Sequence, residues 1–220
     1  MSFAESGKNI DFVSPDKINT TDTDHAKNIG GYYNSKTKKI DVIVSDDMKV
    51  SDILYPIVYE TLHKISYHDK KKEWAFSGLQ INEKNVVTNS NSKYKNKDLF
   101  SLHTGMNEGV TQMYAERIMR NDLHNNNFKS NIYKPQAEAM QYFENIYDPQ
   151  KLKDAYIRNG FNDIEKDFDS IIGKTELSYL SKFIDLMDDS IECRGEVFKI
   201  IDDYAYRKEK MEQLSDLLKQ

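Results

Sequence analysis

The spacing of apolar residues changes partway along the chain, and that change limits the available folds. After Gly30-Gly31-Tyr32-Tyr33 and the polar turn Asn34-Ser35-Lys36-Thr37, Ile40, Val42 and Val44 alternate with Asp41 and Ile43. This is the period-2 signature of a hairpin. Beyond it the period becomes helical. Ile53, Leu54, Ile57, Val58, Leu62 and Ile65 predict a helix capped by Ser51 or Asp52, with Pro56 in or near its first turn. A second helix runs from Gly105 to near Asn121 through Met106, Val110, Met113 and Ile118. Further helices are expected over Pro135–Tyr147, Pro149–Arg158, Asn162–Ile172, Thr175–Met187 and Ile191–Leu218, punctuated by Gly160 and Gly173. Strands first and helices after give a helix-dominated α+β fold.

The 220 residues divide into three expected regions: a loop-rich N-terminal segment (1–28), a core (29–130) and a C-terminal helical subdomain packed on it (131–220). The first region holds one short strand candidate, Ile10-Asp11-Phe12-Val13. Residues 69–98 read as a long polar surface excursion anchored by Trp74-Ala75-Phe76 and Val86-Val87. With 31 basic residues against 36 acidic ones and a net charge of −5, the chain lacks the broad positive field that nucleic-acid binding draws on. No apolar run approaches the roughly 18 residues of a membrane span. The start, Met1 to Ser6, carries no basic then apolar leader, so a cytoplasmic protein is expected. One cysteine, Cys193, excludes an internal disulfide framework and a multi-cysteine zinc module, and its place near Val197 reads as a small core residue.

Two strings carry the chemistry. Tyr59-Glu60-Thr61-Leu62-His63 lies on the first predicted helix. Two ligands at i and i+4 can grip one zinc, and the glutamate beside the first can serve as base for a metal-bound water. Of that His-Glu-x-x-His pattern, the glutamate and second histidine are present, while Tyr59 occupies the first position. The second string, Gly105-Met106-Asn107-Glu108-Gly109-Val110-Thr111-Gln112, opens the next helix. A helical glycine costs about 1 kcal/mol relative to alanine, so Asn107-Glu108-Gly109 reads as an element of a site rather than of packing.

In this order and on these helices, the two strings resemble the gluzincin metallopeptidases. The surroundings look similar too, especially to bacterial and mobile-element members, with a Gly-Tyr-Tyr hairpin before the first helix and Gly-x-Asn-Glu-Gly-x-Thr after a variable loop. The resemblance spans roughly residues 30 to 120, leaves the C-terminal helices unassigned and implies a zincin-like core with a small N-terminal β-hairpin; the C-terminal helical lobe is expected from periodicity. The resemblance further implies Glu60 as general base, His63 and Glu108 as zinc ligands, and Asn107 and Gln112 in the shell behind them. Two positions depart from the pattern. Tyr59 replaces the first ligand, and a phenol with an ordinary pKa near 10 must lose a proton to bind metal well. Gln112 replaces the acid that orients the first histidine. His103 is the candidate replacement ligand, since His68, five residues beyond His63, is turned roughly 140° away on a helix. Tyr114 is a candidate oxyanion donor.

The expectation is therefore a degenerate metallopeptidase-like protein with an impaired zinc site that binds a peptide or protein partner in the old cleft. The alternative is an active zinc-dependent peptidase using Glu60 as general base, with zinc as cofactor if the site is competent. The last helix, carrying Val197, Ile200, Ile201, Tyr204, Met211, Leu214 and Leu218, is expected to pack on its own domain, and it is long enough to reach a partner.

Overall fold

In the computed structural model, residues 10–13, 30–34, 37–68, 74–83, 101–187 and 190–219 are described. Val86-Val87 and most of the first 28 residues lie outside them. Three strands, β1 (Ile10–Val13), β2 (Gly31–Asn34) and β3 (Lys39–Ile43), form a sheet in the order β1-β3-β2. β2 and β3 are the expected antiparallel hairpin, and β1 adds to β3 in parallel. The polar 69–98 excursion turns out to contain strands as well. β4 (Tyr67–His68), β5 (Trp74–Ser77), β6 (Gln80–Glu83) and β7 (Ser101–Leu102) make an antiparallel sheet. Its strands are only two to four residues long, which hid them from periodicity.

The first helix, α1 (Val50–Ser66), lies between the first sheet and the helical body. Ile53 and Ile57 pack on Tyr33, Ile40 and Val42 of the sheet. Tyr55, Val58, Tyr59 and Leu62 belong to the main core instead. Lys49 rather than Ser51 or Asp52 stands at the N-cap, but Asp52 in the first turn does help close the helix start, accepting the Lys49 N–H at 3.1 Å. Pro56 lies in the second turn and packs under the hairpin. A Cβ at Gly30, where φ is +76°, would stand 2.9 Å from its ring, and one at Gly31 3.0 Å. The two glycines let the hairpin lie directly on α1.

α2 (Thr104–Asn121) crosses α1 and is followed by α3 (Lys134–Ile146), α4 (Pro149–Arg158), α5 (Phe161–Ile172), α6 (Glu176–Asp185) and α7 (Ile191–Leu218). Met106 and Val110 of α2 share one buried apolar cluster with Met140 of α3, Leu180 of α6 and Ile201 of α7. The C-terminal helices thus close the same core that α1 enters. Arg117 ties α2 to α3 through two bonds to the Glu144 carboxylate, at 2.6 and 3.1 Å. No helix among the described residues is long and apolar enough to cross a membrane.

Gly109 has a packing reason, contrary to the sequence reading. A Cβ there would stand 2.6 Å from the Gln136 carbonyl oxygen at the start of α3. Gly109→Ala should therefore reverse the usual helix preference and destabilise the fold by about 1–3 kcal/mol. Urea unfolding of the two proteins measures it.

Candidate functional site

Helical geometry sorts the first string onto two faces of α1. Glu60 follows Ile53 and Ile57 on the side that meets the sheet, while Tyr59 and His63, four apart, look toward α2. Glu108, in the second turn of α2, meets them. The Tyr59 hydroxyl donates to Glu108 Oε2 in a short hydrogen bond, and His63 Nε2 stands 3.3 Å from the same oxygen. Glu60 turns toward the hairpin, where its Oε2 accepts the Tyr33 backbone N–H at 2.8 Å. Tyr59, Glu60 and Glu108 are all buried. The packing of α2 on α1 thus brings Tyr59, His63 and Glu108 to one point, with Glu60 beside them.

Burial governs the electrostatics. It pushes the Glu60 carboxyl up to about 7, with the Glu108 charge adding to the rise and His63 and the Tyr33 N–H opposing it. For His63, burial is the largest single influence and disfavours the charged ring. The charge and hydrogen bond of Glu108, together with Glu60, outweigh it and raise the imidazole to about 9. Burial and then the Glu108 charge hold the Tyr59 phenol well above its ordinary value. At neutral pH the cluster is therefore an imidazolium and a neutral phenol, both directed at one carboxylate.

Gln112 does not orient Tyr59 through a hydrogen bond. Its amide nitrogen donates to Glu116 Oε1 at 3.0 Å and the Ser130 carbonyl at 3.1 Å, and its oxygen accepts the Tyr133 N–H at 2.8 Å. The link to the site is indirect, because Tyr133 stacks on Tyr59 with ring centroids 6.4 Å apart. Asn107 serves the second sheet: its Oδ1 accepts the Leu79 N–H at 3.1 Å and holds the β5–β6 turn on α2.

His103 is engaged elsewhere. It sits at the start of α2 with φ +64°, stacks on Phe161 at 3.6 Å, and places Nδ1 2.7 Å from Ser181 Oγ. Burial lowers its pKa to about 4. His68 reaches the Ile157 carbonyl at 2.6 Å, and Tyr114 packs against Tyr156 and Arg117 on the far side of α2. Sequence reasoning did not single out Tyr55 and Tyr133, which wall Tyr59, or Phe128, which packs on Tyr55. Phe128 and Tyr133 sit in the α2–α3 connection, where no periodicity marks them.

Two donors bound to one tetrahedral zinc at about 2.0–2.1 Å stand about 3.3 Å apart. His63 Nε2 and Glu108 Oε2 match that separation. Tyr59 does not fit, because its oxygen is in direct hydrogen-bond contact with Glu108 and keeps its proton. Among the described residues, no group of three His, Cys, Asp or Glu side chains is arranged to hold a metal ion. Comparison with known protein families, characterised proteins and solved structures found no match.

Two outcomes follow. Gln112→Glu should destabilise the protein by about 1–3 kcal/mol at pH 7, because a buried carboxylate cannot donate to Ser130 and repels Glu116. The penalty should shrink at acid pH, where the carboxyl regains a proton; denaturant titrations at pH 4 and 7 check this. Glu60 and His63 both bind their protons more tightly in the folded state. Stability of the metal-free protein should therefore fall as pH rises, through Glu60 from 4.5 to about 7 and through His63 from 6.5 to about 9. Thermal midpoints across pH 5–9 measure the fall, and His63→Gln should flatten its upper part.

Proposed function

We propose that this chain is a degenerate metallopeptidase-like protein whose zinc site is impaired and whose cleft binds a peptide or protein partner. The observation that carries the reading is the shared contact on Glu108. The residue at the first-ligand position donates a hydrogen bond to the very carboxylate that would be the third ligand, while His63 is held protonated against it. A protonated imidazole and a protonated phenol are not metal ligands. The hairpin lying on α1, with the Tyr33 N–H donating to Glu60, supports the same reading.

A second reading, an active zinc peptidase, draws on the His63–Glu108 separation and on the Glu60 carboxyl near 7, a value suited to a general base. Zinc content separates the two. After purification in zinc-containing buffer, elemental analysis should find far less than one zinc per chain in the wild type. Tyr59→His should raise that content. Near-stoichiometric zinc in the wild type, lost in His63→Ala, would favour the peptidase. A Tyr59→His protein that still holds none would remove the basis for both.

A further inference from the structure

α7 is 28 residues long, about 42 Å, yet its contacts with the body end about two-thirds of the way along. The row Val197, Ile201 and Tyr204 is buried, Tyr204 stacks on Phe168 at 4.4 Å, and Lys208 reaches the Ile146 carbonyl at 3.1 Å. From Glu209 to Lys219 every residue is exposed.

This projecting end is amphipathic. Tyr206, Met211, Leu214, Leu217 and Leu218 are 61, 53, 57, 66 and 79% exposed and share one side of the helix. Glu209, Glu212 and Asp216 fall on the other side, so the charges that lie among the apolar side chains, Arg207 and Lys210, are positive. The same face, followed back along α7, leads into a groove. Glu196, Ile200, Asp203, Arg207, Lys210, Leu214 and Leu217 recur at alternating steps of four and three, a continuous seam along the helix. At its upstream end the seam borders a groove between α6 and α7 with Ile172, Tyr179, Phe183 and Ile200 as its apolar lining. Three carboxylates, Glu176, Glu196 and Asp203, rim it, and Lys199 pairs with Glu196 at 3.4 Å.

We propose that a second copy of this chain covers this surface, its α7 antiparallel to the first with a two-fold axis near Arg207. The apolar end and the groove lie on the same face of one helix. A two-fold rotation therefore lays each copy's Leu214 and Leu217 into the other's groove and brings each Lys210 toward the other's acidic rim. That is the self-complementarity a two-fold interface demands. Parallel pairing would leave both grooves empty, whereas at the antiparallel axis each Arg207 stays paired with its own Asp203 at 3.0 Å.

Sedimentation equilibrium of the full chain tests the proposal. The wild type is expected to be a dimer at micromolar concentration. Leu214→Glu combined with Leu217→Glu should give a monomer with unchanged circular dichroism, since both positions are exposed in the single chain. Arg207→Cys in a Cys193→Ser background should form a disulfide-linked dimer under mild oxidation, because position 207 lies beside the axis. A wild type that stays monomeric at 100 μM overturns the proposal. So does a dimer indifferent to the double substitution, or one that the cysteine at 207 fails to cross-link.

Discussion

A carboxylate buried where two helices cross must be met by proton donors or by a cation, and Glu108 is such a group. Its environment decides the state of everything around it. Tyr59 and His63 both reach its Oε2, one as a neutral donor and the other as a charged one. Burial alone would strip the proton from His63, but the carboxylates beside it hold that proton in place. The imidazolium thus supplies the positive charge that a divalent ion would otherwise bring, and an incoming ion would have to displace it. Glu60, a second buried carboxyl, gains from the same imidazolium and from the Tyr33 N–H, yet burial still lifts it toward neutrality.

The residues around Glu108 are constrained from several sides at once, which makes α2 dense in meaning. Gly109 admits the start of α3, Asn107 holds the β5–β6 turn, and the Asp185 carboxylate meets the Gly105 N–H at the first turn. Thr111 bonds the Asn107 carbonyl and the Tyr156 hydroxyl, each at 2.8 Å. A string that looks like one motif is thus a row of separate contacts, each with its own partner. The direction of Glu108 toward α1 depends on them all, because they fix how α2 is rotated.

This explains what the sequence made legible and what it did not. The C-terminal helices follow from periodicity and glycine punctuation, and two of them, Pro149–Arg158 and Ile191–Leu218, have the expected ends. The hairpin follows from alternation; helical spacing puts Tyr59 and His63 on one face of α1, while the expectation that Glu108 meets them rests on the layout the resemblance implies. The second sheet was missed because its strands are two to four residues long, too short for period-2 alternation to declare itself. Gly109 was misread because propensity speaks of a helix in isolation, whereas the neighbour that requires glycine is the backbone of Gln136. His103 illustrates the same limit. Its distance along the chain from Glu108 is short, but a left-handed residue at the start of α2 sends its ring to Phe161 and Ser181.

The two departures from the metallopeptidase pattern are physically one unit. Gln112 grips the backbone on both sides of residues 131 and 132, donating to Ser130 and accepting from Tyr133, a pair of bonds that needs a donor and an acceptor on one side chain. A carboxylate could make only the second. That grip sets Tyr133 against Tyr59, and Tyr55 closes on the same ring from within α1. The aromatic wall suits a phenol ring, whose hydroxyl then reaches Glu108 at the far end. An acid at position 112 would loosen the wall, and a shorter side chain at position 59 would leave part of it unfilled. Glutamine and tyrosine therefore support each other through Tyr133, and their joint presence needs no pair of independent losses to account for it.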